Sequence, residues 1–156
     1  MTTLIFASAI GAALVSGIFY AFSTFVMRAL ERLPPRDGIA AMQSINIAVI
    51  NPLFFLVFFG TGVLCVVTTA ASLMSDLEVS LGPVIIGCVL YLFGCIGITI
   101  VGNVPLNDKL ANTDPDGPEA ETLWSLYLGR WNLWNHLRTA ASLAAAVSFL
   151  ISAGAT

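Results

Sequence analysis

The chain has 156 residues, of which 58% are apolar and only 10% are charged, with a formal net charge of −3. Its mean hydropathy of +0.92 excludes an ordinary soluble domain and favours a protein embedded in lipid. The weak net charge gives no indication of a nucleic-acid partner, and none is expected.

Four apolar segments are long enough to cross a membrane, which takes about 20 residues. They cover residues 4–26, 52–74, 83–104 and 133–151. The first lacks a basic n-region and is longer than the apolar part of a signal peptide, so it is interpreted as a retained span. We therefore predict an all-α integral membrane protein, a four-helix bundle formed by a single transmembrane domain over residues 1–156.

The connection after the first span is predicted to contain a helix. Asp37 is a suitable cap for a helical stretch over residues 38–50. A residue that precedes a proline resists helical geometry, so a break is expected at Asn51. We predict that the Asn51 side chain then caps the second span.

The connection after the third span is predicted to be a loop followed by a helix over residues 105–132. Pro105 is expected to end the span because proline disrupts a helix interior. Pro118 suits the first turn of a helix, which is expected to run through Trp131 into the last span.

Loop charges predict the orientation, because lysine and arginine stay on the cytoplasmic side. Basic residues follow the first and third spans, whereas the turn between the second and third spans holds Asp76 and Glu78 and no basic residue. Both chain ends also lack basic side chains. We therefore predict a multi-pass protein with both termini on the non-cytoplasmic side.

The residue types give little support for metal chemistry. Cys65, Cys88 and Cys95 fall inside predicted spans without a C-x-x-C spacing, so they are interpreted as packing residues. One histidine, with no acidic residue in a span, is too few for a three-ligand metal site or a bis-histidine haem in one chain. No metal is expected.

Polar side chains collect at the span ends that face the cytoplasm in this topology. They are Tyr20, Ser23, Gln43, Asn46, Asn51, Asn103, Asn107, Asn135, His136 and Arg138. Polar groups inside a membrane are costly, so they usually face a bundle interior or a wet cavity and indicate function. We predict that these groups meet in one largely dry chamber.

The last helix carries a stripe of larger side chains at three- and four-residue spacing. It consists of Trp124, Tyr127, Trp131, Asn135, Arg138 and Ser142. His136 lies about 200° away from Arg138 at 3.6 residues per turn, so the two side chains are expected to flank a site.

Each of these signals has a structural alternative. Trp124 and Trp131 are also typical of an interfacial aromatic belt. Arg138 can extend from a helix end to lipid phosphates, and His136 can serve as a structural hydrogen-bond donor. The asparagines can cap helices or form hydrogen bonds across the bundle.

Five stretches of the sequence are similar to a known family. They are GIFYAFS at 17–23, MQSIN at 42–46, NPLF at 51–54, NVPLN at 103–107 and WNLWNHLRT at 131–139. Together they resemble the anthrone oxygenase-like family of small four-helix membrane proteins, over essentially the whole chain. The resemblance implies conversion of an anthrone to an anthraquinone with O2, and implies that no metal, flavin or other cofactor takes part.

The resemblance also implies residue roles. His136 would remove a proton from the central methylene as the general base. Arg138, helped by Asn135 and Asn46, would stabilise the enolate oxygen. The residues expected to bind the substrate are Tyr20, Asn46, Asn103, Asn107, Trp124 and Trp131, of which the aromatic ones would stack on its rings.

Other functions stay open at this point. The same polar groups would suit a non-catalytic module that binds a quinone or a lipid headgroup. Faces of small residues on the first and last helices would also suit a structural partner subunit or a homo-oligomer. Transport is less well supported, because one histidine and one arginine give no proton relay. The expected partners are a small aromatic or lipidic ligand and membrane lipid.

Overall fold

The fold is all-helical within the part of the chain that the computed structural model describes, residues 1–75 and 80–154. The five helices found there are α1 (Thr2–Glu31), α2 (Pro35–Ala48), α3 (Pro52–Leu73), α4 (Leu81–Ala111) and α5 (Ala120–Gly154). All except α2 are long and apolar enough to cross a membrane, which confirms the predicted all-α class and fits a multi-pass membrane protein. The predicted turn with Asp76 and Glu78 lies outside the described residues.

The outer surface of the helices is strongly apolar. Leu53, Val63, Phe93 and Val101 are each 64–71% exposed on α3 and α4. In water this exposure would be unfavourable by about 25 cal/mol for each Å² of apolar surface, whereas lipid removes that cost. The exposed side chains are therefore those expected of helices that face a bilayer.

Two helix starts show how the connections are built. Helix α2 begins at Pro35, so Asp37 lies in its first turn and is not the predicted cap. Proline suits the first helical position because its missing N–H would have no partner there. The predicted cap of α3 is confirmed, since Asn51 Oδ1 accepts a hydrogen bond of 2.9 Å from the Phe54 backbone N–H.

Helix α4 continues through Pro105 to Ala111, so the prediction that Pro105 ends it is wrong. The residues just before this proline, Thr99–Asn103, form a π-helical turn. A proline in an α-helix clashes with the carbonyl four residues earlier, and the wider π turn moves that carbonyl aside. Only residues 112–119 therefore separate α4 from α5.

Helix α5 is the centre of the arrangement, packed between α1 and α4, and α3 lies against α1 and α4. Glycines allow α4 to approach α5 closely. A Cβ atom on Gly94 would lie 2.6 Å from the Ala141 Cβ, and one on Gly102 would lie 2.6 Å from the Trp134 ring. Small residues at such positions are what helix packing in lipid requires.

The buried side chains form two apolar clusters. The apolar core includes Ile5, Phe19, Phe58, Cys65, Tyr91 and Phe149. The second cluster, where α2 packs over α1, α4 and α5, includes Met27, Ile39, Met42, Leu110, Trp124, Tyr127 and Trp131. Between the two clusters lies a set of polar side chains, here called the polar layer: Ser23, Thr99, Asn103, Asn135, His136, Arg138 and Thr139.

Candidate functional site

Two π-helical turns deliver the polar layer to the face of α5. The turn Phe22–Val26 in α1 contains Ser23, and the turn Thr99–Asn103 in α4 contributes both of its end residues. Ser23 contacts Asn135, and the Asn103 Nδ2 donates to the Trp131 carbonyl at 3.2 Å. Such turns are frequent at functional sites. They place polar side chains of α1 and α4 opposite α5.

Arg138 is the charged group of this layer, and it is only 6% exposed. Its Nε and Nη2 donate to the Asn135 Oδ1 at 3.0 and 2.9 Å, and its Nη1 donates to the Thr99 Oγ1 at 3.2 Å. All of these partners are neutral; among the described residues, the one ion pair joins Arg36 to Asp116 at the surface. Two of the five guanidinium N–H groups have no acceptor in the described structure.

Aromatic rings enclose the guanidinium. The Arg138 Cζ lies 3.8 Å from the Phe19 ring centroid and 5.1 Å from that of Trp131. Trp131 stacks on Tyr127 at 6.0 Å between centroids, and Tyr127 stacks on Trp124 at 5.7 Å. The predicted stripe on α5 is confirmed as one buried face. It forms a column of flat rings that ends at a cation.

The Asn135 amide uses all of its hydrogen-bonding capacity. Its Oδ1 accepts two hydrogen bonds from Arg138, and its Nδ2 donates to the Phe19 carbonyl at 2.9 Å and to the Ser23 Oγ at 2.8 Å. An amide has two donors and two acceptor sites, so none is left for a ligand. In this geometry Asn135 holds Arg138 in place and does not itself offer a donor to an enolate.

The other predicted asparagines differ in how fully they are bonded. The Asn107 Oδ1 accepts from the Tyr127 hydroxyl and from the Trp131 Nε1, both at 2.8 Å, and so fixes two of the stacked rings. The Asn103 Oδ1 and the Asn46 Nδ2, which lies beside Tyr127, are buried with no hydrogen-bond partner. Buried polar atoms are rarely left unpaired, so these two are candidates to bind a ligand.

His136 and Tyr20 are the predicted site residues on the outside. His136 is exposed on the face of α5 away from Arg138, and its Nδ1 lies 2.9 Å from the Ser23 Oγ. Tyr20 is 60% exposed, because its neighbour Phe19 takes the inward position on α1 and successive residues point about 100° apart. The structure therefore joins His136 to the edge of the polar layer and does not bring Tyr20 into it.

The remaining predicted residues meet inside the bundle, but the space between them is filled. Trp124, Trp131, Asn103 and Asn135 are each 0–3% exposed. The last three touch one another or Arg138 directly, and Trp124 stacks on Tyr127. Two surface grooves lie elsewhere. One runs along the start of α5, and the other follows the exposed face of α1 around Gly17. A ligand must therefore displace side chains to reach the guanidinium.

Thr99 and Phe19 contribute to this site and were not singled out from the sequence. The position of Thr99, one helical turn before Asn103, was a signal in the sequence. An isolated threonine in a long apolar run is, however, commonly one that only donates a hydrogen bond to a backbone carbonyl of its own helix. The Thr99 hydroxyl does donate to the Cys95 carbonyl at 2.8 Å, which leaves its lone pairs to accept from Arg138.

Metal ligands are not grouped in the described part of the chain. No three His, Cys, Asp or Glu side chains among residues 1–75 and 80–154 are placed so that they could hold an ion. Cys65, Cys88 and Cys95 are free thiols buried in α3 and α4. The side chains that the structure brings together at this site are an imidazole, a guanidinium, amides, hydroxyls and aromatic rings.

Fold and site together define a helical membrane protein that buries an arginine among neutral amides and flat aromatic rings. A family model described as Anthrone oxygenase matches residues 54–148, more than half of the chain. The chain therefore belongs to the anthrone oxygenase family, as its motifs predicted. The matched range includes Asn103, His136 and Arg138 but not Ser23. Comparisons with curated proteins and with solved structures found no match.

Proposed function

We propose that this protein is a cofactor-independent oxygenase that uses O2 to oxidise an anthrone-like or hydroquinone-like aromatic carbon acid to a quinone. The observation that carries the proposal is the buried Arg138, whose described partners are all neutral. In apolar surroundings such a charge strongly stabilises a nearby anion, and a deprotonated anthrone is an anion. Membership of the anthrone oxygenase family supports the same chemistry.

The reaction begins with proton transfer to His136. The imidazole takes a proton from the central methylene of the anthrone, and the electron pair moves to the carbonyl oxygen as an enolate. One electron then passes from the enolate to O2, and the resulting carbon radical and superoxide combine at the same carbon as a peroxide. The imidazolium protonates the peroxide, and loss of water gives the quinone. One anthrone and one O2 thus yield one anthraquinone and one water.

Arg138 stabilises the enolate formed in this reaction. It lies on a different face of α5 from His136, and Asn135 and Ser23 connect the two side chains. The substrate approaches from the exposed side of His136, and the guanidinium acts on it through its field in the apolar interior. After Phe19 or Phe22 shifts, the two N–H groups that are free in the described structure can also donate to the oxygen.

The surroundings suit a flat, hydroxylated ring system. Phe22 and Trp131 pack on each other at 5.6 Å between centroids, and a shift of Phe22 would open a face of Trp131 for stacking. The unpaired Asn46 Nδ2 and Asn103 Oδ1 supply one donor and one acceptor for ring hydroxyls or carbonyls. The predicted roles of Asn46, Asn103 and Trp131 in substrate binding are kept in this proposal, and Asn107 becomes the residue that holds the rings.

We further propose that the polar layer lies near the cytoplasmic boundary, with both termini on the opposite side. Arg28 lies in the last turns of α1, Arg32 directly follows this helix, and Arg36 is in the first turn of α2; such clusters of basic residues stay cytoplasmic. A membrane-soluble substrate would then reach His136 from the inner leaflet.

The test is oxygen uptake by the purified protein in liposomes with anthrone, 1,8-dihydroxyanthrone and a hydroquinone. We expect consumption of one O2 for each anthrone, with the quinone as product. His136→Ala should lower kcat/KM by about 10²–10⁴-fold, the usual contribution of a general base. Leu137→Ala is the matched control, because this neighbour is also exposed and carries no reacting group.

Two outcomes would overturn the proposal. Unchanged turnover in His136→Ala would eliminate the base, and failure of the wild-type protein to consume oxygen with the whole panel would eliminate the reaction. A purified protein that retains a coloured or lipidic ligand yet consumes no oxygen would instead show the non-catalytic binding module.

A further inference from the structure

Ser23 lies at the centre of a compact hydrogen-bond network at the edge of the polar layer. Its Oγ is 2.8 Å from the Asn135 Nδ2, 2.9 Å from the His136 Nδ1 and 3.3 Å from the Thr139 Oγ1. The Thr139 Oγ1 in turn lies 2.6 Å from the backbone carbonyl of Asn135. The network therefore has four contacts, and each needs one hydrogen.

For two of these four contacts, the neighbouring groups determine which atom donates the hydrogen. Arg138 donates twice to the Asn135 Oδ1, which fixes the orientation of the amide and makes the Asn135 Nδ2 the donor to Ser23. Thr139 has a single hydroxyl hydrogen, and the short contact with the Asn135 carbonyl uses it, because a carbonyl can only accept. The hydrogen between Ser23 and Thr139 must therefore come from Ser23.

The contact between Ser23 and His136 is then determined. Ser23 has donated its only hydrogen to Thr139, so it accepts from the His136 Nδ1–H with its second lone pair. In the opposite assignment, Ser23 would donate to Nδ1. The Ser23 and Thr139 oxygens would then face each other at 3.3 Å without a hydrogen between them.

We infer that Ser23 is a positioning residue that holds neutral His136 in the Nδ1–H tautomer, which leaves Nε2 as the basic nitrogen. This inference rests on the proposed function, in which His136 accepts a proton. A neutral imidazole carries one N–H, and the partner of that N–H decides which nitrogen is free. Because Asn135 is hydrogen-bonded to both Ser23 and Arg138, one network fixes the position of the His136 imidazole relative to the Arg138 guanidinium.

The first test needs no turnover. The chain has one histidine, so ¹⁵N-histidine labelling gives ring-nitrogen signals from His136 alone. In wild-type protein with the imidazole neutral, we expect a pyrrole-type signal for Nδ1 and a pyridine-type signal for Nε2. The reverse assignment in wild-type protein would overturn the inference, whatever the oxygen uptake.

The second test removes the Ser23 hydroxyl. Ser23→Ala should shift the signals toward the Nε2–H tautomer that predominates in a free histidine side chain. It should also lower kcat at least about tenfold with KM within about twofold, because the substrate contacts remain. Ser23→Thr should restore both the tautomer and kcat.

The matched control is Thr24→Val, since the Thr24 hydroxyl donates to the Tyr20 carbonyl of its own helix at 2.8 Å. It should change neither the spectrum nor kcat. Unchanged nitrogen signals in Ser23→Ala would overturn the positioning role. The expected tautomer in a wild-type protein that consumes no oxygen would overturn the proposed reaction and leave the hydrogen assignment standing.

Discussion

The apolar core and the polar layer differ in how their buried polar groups are paired. In the apolar core, Ser8 pairs with Thr68 at 2.9 Å, and the Tyr91 hydroxyl donates to the Phe58 carbonyl at 2.9 Å. In the polar layer, the described partners of the Arg138 cation are all neutral, and the Asn103 Oδ1 is unpaired. The hydroxyls of the core thus pair with one another or with the backbone. The polar layer instead contains a cation without a counter-ion and an unpaired hydrogen-bond acceptor, both of which could interact with a ligand.

This difference separates stability from function. A buried charge with no opposite charge beside it costs several kcal/mol, and replacing it with an apolar side chain is often neutral or stabilising. Natural proteins accept such costs mainly at functional sites. Substitutions in the polar layer should therefore affect activity more than stability, and substitutions in the apolar core should do the reverse.

The largest expected effect comes from Arg138→Met. We expect kcat/KM for anthrone to fall by about 10²–10³-fold, the usual loss when a group that stabilises a developing oxyanion is removed. The unfolding temperature should change little, because the unpaired Asn135 Oδ1 is offset by the removal of a buried charge. The kcat/KM of Arg138→Lys should lie between those of the wild type and Arg138→Met, since lysine keeps the positive charge but lacks the planar guanidinium that donates two hydrogen bonds to one oxygen. Oxygen uptake and thermal unfolding in the same detergent measure both quantities; a large drop in stability would contradict the comparison.

Asn135→Asp should have the next largest effect. It places a carboxylate against the guanidinium, so the field available to an enolate is largely cancelled. We expect kcat/KM to fall about tenfold even though Arg138 gains an ion pair. The double variant with Arg138→Met should lose no more than Arg138→Met alone, because a buried carboxylate without its cation is protonated and adds no charge of its own. Additive losses in this double-mutant cycle would show that Asn135 acts independently of Arg138.

The smallest effects come from the same substitution made in the apolar core and beside the polar layer. Tyr91→Phe removes a hydrogen bond to the Phe58 carbonyl and should lower the free energy of unfolding by about 1 kcal/mol without changing turnover. Tyr127→Phe removes a bond to the Asn107 Oδ1 and should raise KM about fivefold, the equivalent of one hydrogen bond. Equal effects of the two changes on KM would remove the distinction between the regions.

The sequence could predict features that depend on composition and local spacing. The four apolar helices, the Asn51 cap and the buried stripe from Trp124 to Ser142 all follow from such patterns and are found in the structure. The distance of each polar residue from the end of its span could also be predicted from the sequence. That is why Asn103 and Asn135 could be placed at the same end of the bundle.

What the sequence could not predict depends on rotation about the helix axes and on contacts between helices. The π turns in α1 and α4 leave no periodic signal, yet they bring Ser23 and Thr99 to α5 and carry α4 past Pro105. Tyr20 lies at the same depth as Phe19 but points outward. The position of a residue along a membrane span can be predicted from the sequence, whereas the direction of its side chain is set by packing between helices.

The central claim is that Arg138 stabilises an anion held in this part of the bundle. Hydroxyanthraquinones change colour when a ring hydroxyl ionises, so absorbance reports the charge state of a bound, unreactive product analogue. In wild-type protein the bound dye should ionise at a pH lower by about one unit or more than in Arg138→Met, because the cation favours the phenolate. Ionisation at the same pH in both proteins, with the dye shown to be bound, would contradict the account.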